Sequence, residues 1–209
     1  GIAITPDGAK GLIPNDGVVT VVDIASSSVD KTISVPESSD ASVAITPDGT
    51  LALLALVGTD QTGQVVVLEL ASLTVKAGNI PLAGPALSIA ITPDGTLALV
   101  AGSELTVIDI ANMSVEKQTI AIGRAPTGIV ITPDGNFALT ANDDDNSVTV
   151  VDIAKRSAIA TINVGTQPLA IAVTPDNTTA LTANNGDNTV SVIDIASHSV
   201  VATIPVGNN

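Results

Sequence analysis

The chain contains no cysteine, no tryptophan, no tyrosine and a single phenylalanine among its 209 residues. Without cysteine there is no disulfide framework and no thiolate metal site, so stability has to come from packing. Without Trp or Tyr there is no ring platform of the kind that stacks a sugar or a quinone cofactor. Lectin and quinoprotein readings fall on that ground. Basic residues are scarce too: 7 Lys+Arg against 21 Asp+Glu give a formal charge of −14. That charge repels nucleic acid and anionic membrane surfaces, and it reads as a solvated, self-repelling exterior, with adaptation to high salt as the alternative. No apolar run approaches the roughly 18–20 residues of a membrane-spanning helix. No charged-then-apolar leader and no initiator Met open the chain. Gly1 starts directly on a repeat, as a mature or excised segment would. Few lysines beside plentiful Thr, Ser and Asn point to an extracellular or cell-surface setting.

What the chain does have is a five-fold echo. Ile4-Thr5-Pro6-Asp7-Gly8 returns as Ile45–Gly49, Ile91–Gly95 and Ile131–Gly135, and finally as Val173-Thr174-Pro175-Asp176-Asn177. The spacings are 41, 46, 40 and 42 residues. A period in that range, built on short strands, means a stack of like supersecondary units, none able to bury its apolar faces alone. Apolar residues make up 45% of the chain, enough for such burial.

The fifth unit reads most clearly. Leu169–Val173 is a short apolar run of the sort buried on both faces. Thr174–Asn177 then reverses the chain: Pro presets φ for a turn, Asp bonds its own backbone, and Gly or Asn takes the left-handed corner. Thr179–Ala183 returns, and Asn184–Asn188 reverses again. Thr189–Ile195 alternates polar and β-branched residues as a half-buried strand does. Val200–Val206 closes the unit. Pro205 suits only a strand that needs no ladder donor there, hence the outer edge. The pattern predicts an all-β chain, a β-propeller of five blades of four antiparallel strands. The blades fall at approximately 1–40, 41–86, 87–126, 127–168 and 169–209, in a single domain.

The repeat also closes arithmetically. From Val173 through Asn209 and round to Ile4 is one further period of 40 residues. The junction Val206-Gly207-Asn208-Asn209 into Gly1–Ile4 resembles Ile122-Gly123-Arg124 running on to Gly128–Ile131. This favours a complete five-blade ring. A window cut from a seven- or eight-bladed array fits the same arithmetic, and an open solenoid would require polar capping repeats.

These residues resemble the YVTN family of β-propeller repeats of archaeal and bacterial surface-layer proteins. The resemblance rests on Asp187-Asn-Thr-Val-Ser-Val-Ile-Asp194, Val200-Val-Ala-Thr-Ile-Pro-Val-Gly207 and Asp145-Asn-Ser-Val-Thr-Val-Val-Asp152. It spans nearly the whole chain and is loosest in blade two, where Gly58–Gln64 is longer and Glu69 replaces a recurring Asp. The name motif itself is altered. Leu139-Thr-Ala-Asn142 and Leu181-Thr-Ala-Asn184 stand where Tyr-Val-Thr-Asn is expected. The resemblance implies a surface-located propeller that acts by presenting loops.

Candidate sites follow from what the turns leave over. The turn aspartates Asp7, Asp48, Asp94, Asp134 and Asp176 each have a sufficient role within their own turn. A ring would nonetheless gather them at one mouth, where a hard cation is the alternative. Asp23, Asp109, Asp152 and Asp194 read as turn-capping acceptors. The only histidine, His198, reads as a solvated turn residue. The loops 142–146 and 184–188 of adjacent blades bring together Asn142, Asp143, Asp144, Asn184 and Asp187. That set is a solvated Asx-rich hairpin pair or, alternatively, a calcium site, although no EF-hand loop is present. Arg124 and Gln167 lie in the loops leading into blades four and five. The expected role is a non-enzymatic scaffold that binds a protein partner through Arg124, Gln167, Asn142, Asp143, Asp144, Asn184 and Asp187, or that self-associates into a surface assembly. No resident cofactor is expected, and a small-molecule ligand is less favoured than a protein. The alternative is a lactonase- or hydrolase-like propeller with Arg124 in its site.

Overall fold

The computed structural model describes residues 1–76 and 78–207, and among them there is no helix. The backbone forms five antiparallel sheets in simple meander order. Blade one comprises Ala3–Ile4, Lys10–Asn15, Val18–Asp23 and Ser28–Ser34. Blade four comprises Pro126–Ile131, Phe137–Asn142, Ser147–Asp152 and Ser157–Asn163; blade five comprises Pro168–Val173, Thr179–Asn184, Thr189–Asp194 and Ser199–Pro205. In blade two, Asp40–Ile45, Leu51–Val57 and Gly63–Glu69 are followed by a broken outer strand, Thr74–Val75 and Ile80–Leu82, both pieces pairing with Gly63–Glu69. In blade three, Ser88–Ile91, Leu97–Ala101 and Leu105–Asp109 are followed by Ser114–Val115 and then a lone bridge from Ile120 to Leu105. The polar run Glu116–Thr119 interrupts that outer strand. Asn208 and Asn209, which take part in the closure arithmetic, lie outside the described residues.

The sheets group into two compact units. One comprises Gly1–Val100 with Val107–Glu116, the other Ala101–Thr106 with the chain from Lys117 onward. Within each unit, blades stack face to face. Side chains alternate along a strand, so each blade has a front and a back. The front of blade one (Leu12, Val19, Val21, Ile33) packs with the back of blade two (Val43, Ala52, Leu54, Leu56, Val66, Leu68, Leu70). The front of blade two (Leu53, Ala55, Val65, Val67, Ile80) packs in the same way with the back of blade three (Ala86, Ile89, Ala98, Val100, Ile108, Ile110). In the second unit, Leu139, Val148, Val150 and Ile162 of blade four meet Ala180, Ile193 and Ile195 of blade five. Each fully buried aliphatic side chain contributes roughly 1.5–3 kcal/mol. These junctions supply the stability that no single blade has.

The Thr-Pro-Asp turns are built as the residues predict. In all five, the Thr hydroxyl donates to the Asp carboxylate two residues on at 2.6 Å. The same carboxylate accepts a main-chain N–H from the residue two positions further along. Gly8, Gly49, Gly95, Gly135 and Asn177 occupy the left-handed corner, with φ between 61° and 75°. The turns of the first unit also touch: a Cβ on Gly49 would lie 3.4 Å from Pro6, and one on Gly95 3.4 Å from Pro47. In the second unit, Asn177 Oδ1 accepts the N–H of Asp134 at 2.9 Å.

The turn into the outer strand holds a regularity that residue types do not advertise. Ser27, Leu73, Met113, Arg156 and His198 all have φ of 50–54°, a conformation that costs a non-glycine residue roughly 1 kcal/mol or more. Leu73 and Met113 lay their side chains on the blade junctions beneath them. His198 meets Phe137 edge-on, with ring centroids 6.5 Å apart. The reading of His198 as a solvated turn residue is therefore corrected: it is half-buried against the preceding blade. The first strand of blade five also differs from its sequence reading. Leu169 is 44% exposed, so the strand is not buried on both faces. Hydropathy reports what a strand can bury, not whether a neighbour is there to bury it. Pro205 is on an outer strand, as predicted.

Candidate functional site

The repeat departs from uniformity at the opposite end of the blades, where strands two and three join and the chain leads in from the blade before. In blades four and five these segments form one hydrogen-bonded ledge, wholly within the second unit. It starts at Gly123 and Gly165, where a Cβ would fall 2.6 Å from the Asn142 side chain or 2.5 Å from that of Asn184. Only glycine admits so close an approach. Asn142 is fully buried, donating through Nδ2 to Ser147 Oγ (3.1 Å) and Thr149 Oγ1 (2.9 Å) and accepting from Thr140 Oγ1 at 2.9 Å. Asn184 repeats the arrangement with Thr189 and Ser191. Its Oδ1 is left without a partner, because Thr182 turns its hydroxyl to the Ala170 carbonyl instead. Both asparagines are thus clamps inside the blades and not exposed contacts. Their place at a strand end, not in the hairpin, removes them from the surface.

Above the clamps run the hairpin carboxylates. Arg124 donates its main-chain N–H to Asp145 Oδ2 and its Nε–H to Oδ1, both at 2.8 Å, with the guanidinium side chain 73% exposed. These two bonds hold the Asp145 carboxyl below the ordinary carboxylate range. Asp187, the counterpart of Asp145, accepts from the Thr166 N–H (3.0 Å) and the Thr189 hydroxyl (2.7 Å), and those bonds lower it likewise. The two modules are joined. Asn146 Oδ1 accepts the N–H of Gln167 at 2.8 Å, and the Gln167 carbonyl accepts from Asn185 N at 2.9 Å. Ala125 and Gln167 turn the lead-in loops with φ of 50° and 53°. Hydrogen bonds from Arg124 to Asp145, from Gln167 to the amide oxygen of the adjacent Asn146, and from Asn185 to Gln167 therefore link Arg124 to the hairpin of blade five.

Of the residues singled out from the sequence, Arg124, Asp144, Gln167 and Asp187 are exposed on this ledge and Asp143 is half-buried beside them. The structure does not gather Asp143, Asp144 and Asp187 round a common point. Among the described residues no group of three or more His, Asp or Glu side chains could hold a metal ion. Asp145 and Asn146 lie in the loop the sequence singled out but were not chosen as contacts, and Thr166 escaped the sequence reading. Aligning the column of Arg124 and Thr166 against that of Asp145 and Asp187 is the signal that finds them. Below the ledge lies a cavity of about 470 Å³ lined by Gly123, Asp145, Ser147, Thr149, Thr161 and Asn163. A roomier groove of about 810 Å³ in the first unit runs between the turns of blades one and two, past Asp7, Lys10, Asp48 and Glu69. Lys10 is there already paired with Asp30. Chemically, the ledge offers fixed acceptors and one fixed cation.

Five four-stranded antiparallel blades place the chain in the β-propeller class, and solved structures agree. It superimposes on Kuenenia stuttgartiensis hydrazine synthase with a TM-score of 0.82 at 19% identity, covering 94% of this chain and 71% of that one. A functionally unknown protein from Desulfotomaculum acetoxidans gives 0.81 at 25% identity, with 97% and 68% covered. The β-propeller domain of Myceliophteria thermophila Cps50 (Swd1) gives 0.79 at 14%, with 93% and 64% covered. No protein-family model matches the chain, and no curated protein sequence matches it.

Proposed function

We propose that this chain is a non-enzymatic extracellular scaffold of the YVTN type, whose ledge in blades four and five receives a protein partner. The observation that carries this reading is the linked run in which Arg124 binds Asp145, the adjacent Asn146 binds Gln167, and Gln167 binds Asn185. Loops fixed before binding lose little entropy on docking, which is how a small contact becomes a useful one. The exposed side chains on the run, with Asp144 near Arg124 and Asp187 on the blade-five hairpin, suit a partner that brings Lys or Arg and an acceptor for the guanidinium. Charge complementarity of that kind sets orientation and on-rate more than raw affinity.

The test is an affinity capture from the surface fraction of the source cells, with the wild-type chain and an Asp144→Ala/Gln167→Ala variant side by side. A protein retained by the first and lost by the second, at unchanged melting temperature, supports the scaffold. Saturable turnover of a lactone or ester panel that Arg124→Ala abolishes overturns it in favour of a hydrolase.

A further inference from the structure

We propose that the outer strand of blade four, Ser157–Asn163, pairs along its free edge with the same strand of a second copy of this chain, the two running antiparallel about a two-fold axis. Each blade ends in an outer strand, and such an edge offers main-chain donors and acceptors to any passing strand unless something blocks it. In every blade but the fourth, something does. Asp30 and Lys31 put charge in the middle of Ser28–Ser34 in blade one. In blade two the outer strand is broken between Val75 and Ile80, and Pro81 follows. In blade three the polar run Glu116–Thr119 interrupts it. Blade five has Pro205, which lacks an N–H, opposite Thr189. Blade four has Asn163 at that position, opposite Ser147, and its strand carries no charge, no proline and no break. One bulge lies beside Val150 and Val151, but blades one and five share it at the same place. Blade four belongs wholly to the second unit and lies away from both ends of the sequence.

The ladder shows which groups this edge offers. Val164 donates its N–H to the Asn146 carbonyl at 3.0 Å. Hydrogen-bonded pairs alternate along an antiparallel ladder, so Ile162 and Ala160 bond inward to Val148 and Val150. Thr161 and Asn163 therefore turn their N–H and C=O groups to the free side. Both residues are exposed, and no described residue bonds to their main chain.

A second copy supplies the complement. With the axis at Ile162, Thr161 of each copy faces Asn163 of the other, and each such pair exchanges both of its N–H···O bonds. Charge favours this direction. Lys155 and Arg156, two of only seven basic residues, stand just before the strand. Asp143, Asp144 and Asp145 stand in the hairpin at its other end, where Val164 bonds Asn146. Lys155 and Asp145 also have partners within the chain, Asp152 and Arg124. Antiparallel pairing brings the basic end of each copy to the acidic end of the other, whereas parallel pairing sets like against like. Both copies use the same patch, so the contact is isologous and closes at the dimer. One strand pair is a small interface, and the dimer is accordingly weak and concentration-dependent.

Sedimentation velocity on the full chain tests this, in about 0.15 M salt to screen the charge of −14 on each copy. The wild type is expected to pass from monomer to dimer as concentration rises and to go no further. Asn163→Pro installs the blade-five residue at the matching position, and Thr161→Lys places a charge on the edge as blade one does. Each variant is expected to stay a monomer where the wild type is mostly dimer, with unchanged β circular dichroism. Because the chain has no native cysteine, Thr161→Cys mixed with Asn163→Cys is expected to give the mixed disulfide in preference to either homodimer. A wild type that stays monomeric at every concentration overturns the proposal, whether or not it binds a synthetic peptide of the Ser157–Asn163 sequence. So does growth past the dimer, a dimer that survives both edge substitutions, or a preference for either disulfide homodimer. Should Asn163→Pro lose its β circular dichroism, Thr161→Lys makes the same test without a proline.

Discussion

The two ends of the blades follow different rules. At the Thr-Pro-Asp end, five turns repeat one hydrogen-bond pattern with the same Thr–Asp distance, and each is satisfied within itself. At the other end the solutions differ between blades. Blades four and five use the buried asparagine against a glycine. Blade two instead brings Gly63 so close to the Gly84 carbonyl that a Cβ would sit 2.1 Å from the oxygen. The uniform end is where the sequence specifies a fold many times over. The variable end is where it specifies something in particular, and the exposed charges of the ledge are found there.

The sharpest way to break this contrast is at Gly63. Because the clash of an added methyl is with main chain, Gly63→Ala is expected to cost about 3 kcal/mol, read as a lower urea midpoint. The same change at Gly11, where nothing lies within 4 Å, serves as the control. Asn142→Ala comes next. It strands the hydroxyls of Thr140, Ser147 and Thr149 inside blade four, so a loss of about 2 kcal/mol is expected. A cost indistinguishable from zero would show that the clamp is ornamental.

The turns follow, one at a time. Thr46→Val removes the hydroxyl that holds Asp48 and is expected to lower stability by about 1 kcal/mol, with the turns of other blades unaffected. The five turn carboxyls are held below their ordinary value, chiefly by the neighbouring Thr hydroxyl. A carboxyl whose folded pKa is depressed stabilises fully above its unfolded value and loses that contribution as pH falls through the folded one. The melting temperature should therefore hold from neutrality down to about pH 5 and drop below about pH 4. A chain with Val at Thr46 and Thr92 starts lower and falls less steeply. The smallest effect on stability is expected from Arg124→Ala. Its ion pair with Asp145 is exposed and screened by solvent, so calorimetry should barely register a change that abolishes partner capture.

Much of this was legible in the residues, and what was not has a definite reason. The period, the turn chemistry, the strand order and the outer position of Pro205 all follow from local sequence, because each is decided within a few residues. Burial is not local. Leu139 and Leu181 stand in identical pentapeptides, yet Leu139 is fully buried in the junction with blade five and Leu181 is 40% exposed. Asn142 and Asn184 misled for a related cause: an asparagine next to a turn is usually part of it, whereas here the strand runs one residue further and carries the amide inward. Asp145 was passed over for Asp143 and Asp144 as a contact because charge runs look alike until a partner such as Arg124 selects one. The left-handed residues at 27, 73, 113, 156 and 198 share a conformation but no residue type, so no motif could have announced them.

The contact between Phe137 and His198 has a practical consequence. With no Trp or Tyr in the chain, the protein is nearly dark in the near ultraviolet, and the one pair of rings in contact spans the junction of blades four and five. A tryptophan at Phe137 would be the sole emitter in a silent background, seated where the two blades meet. Its colour would report the opening of that single seam while the other three blades contributed nothing to the signal.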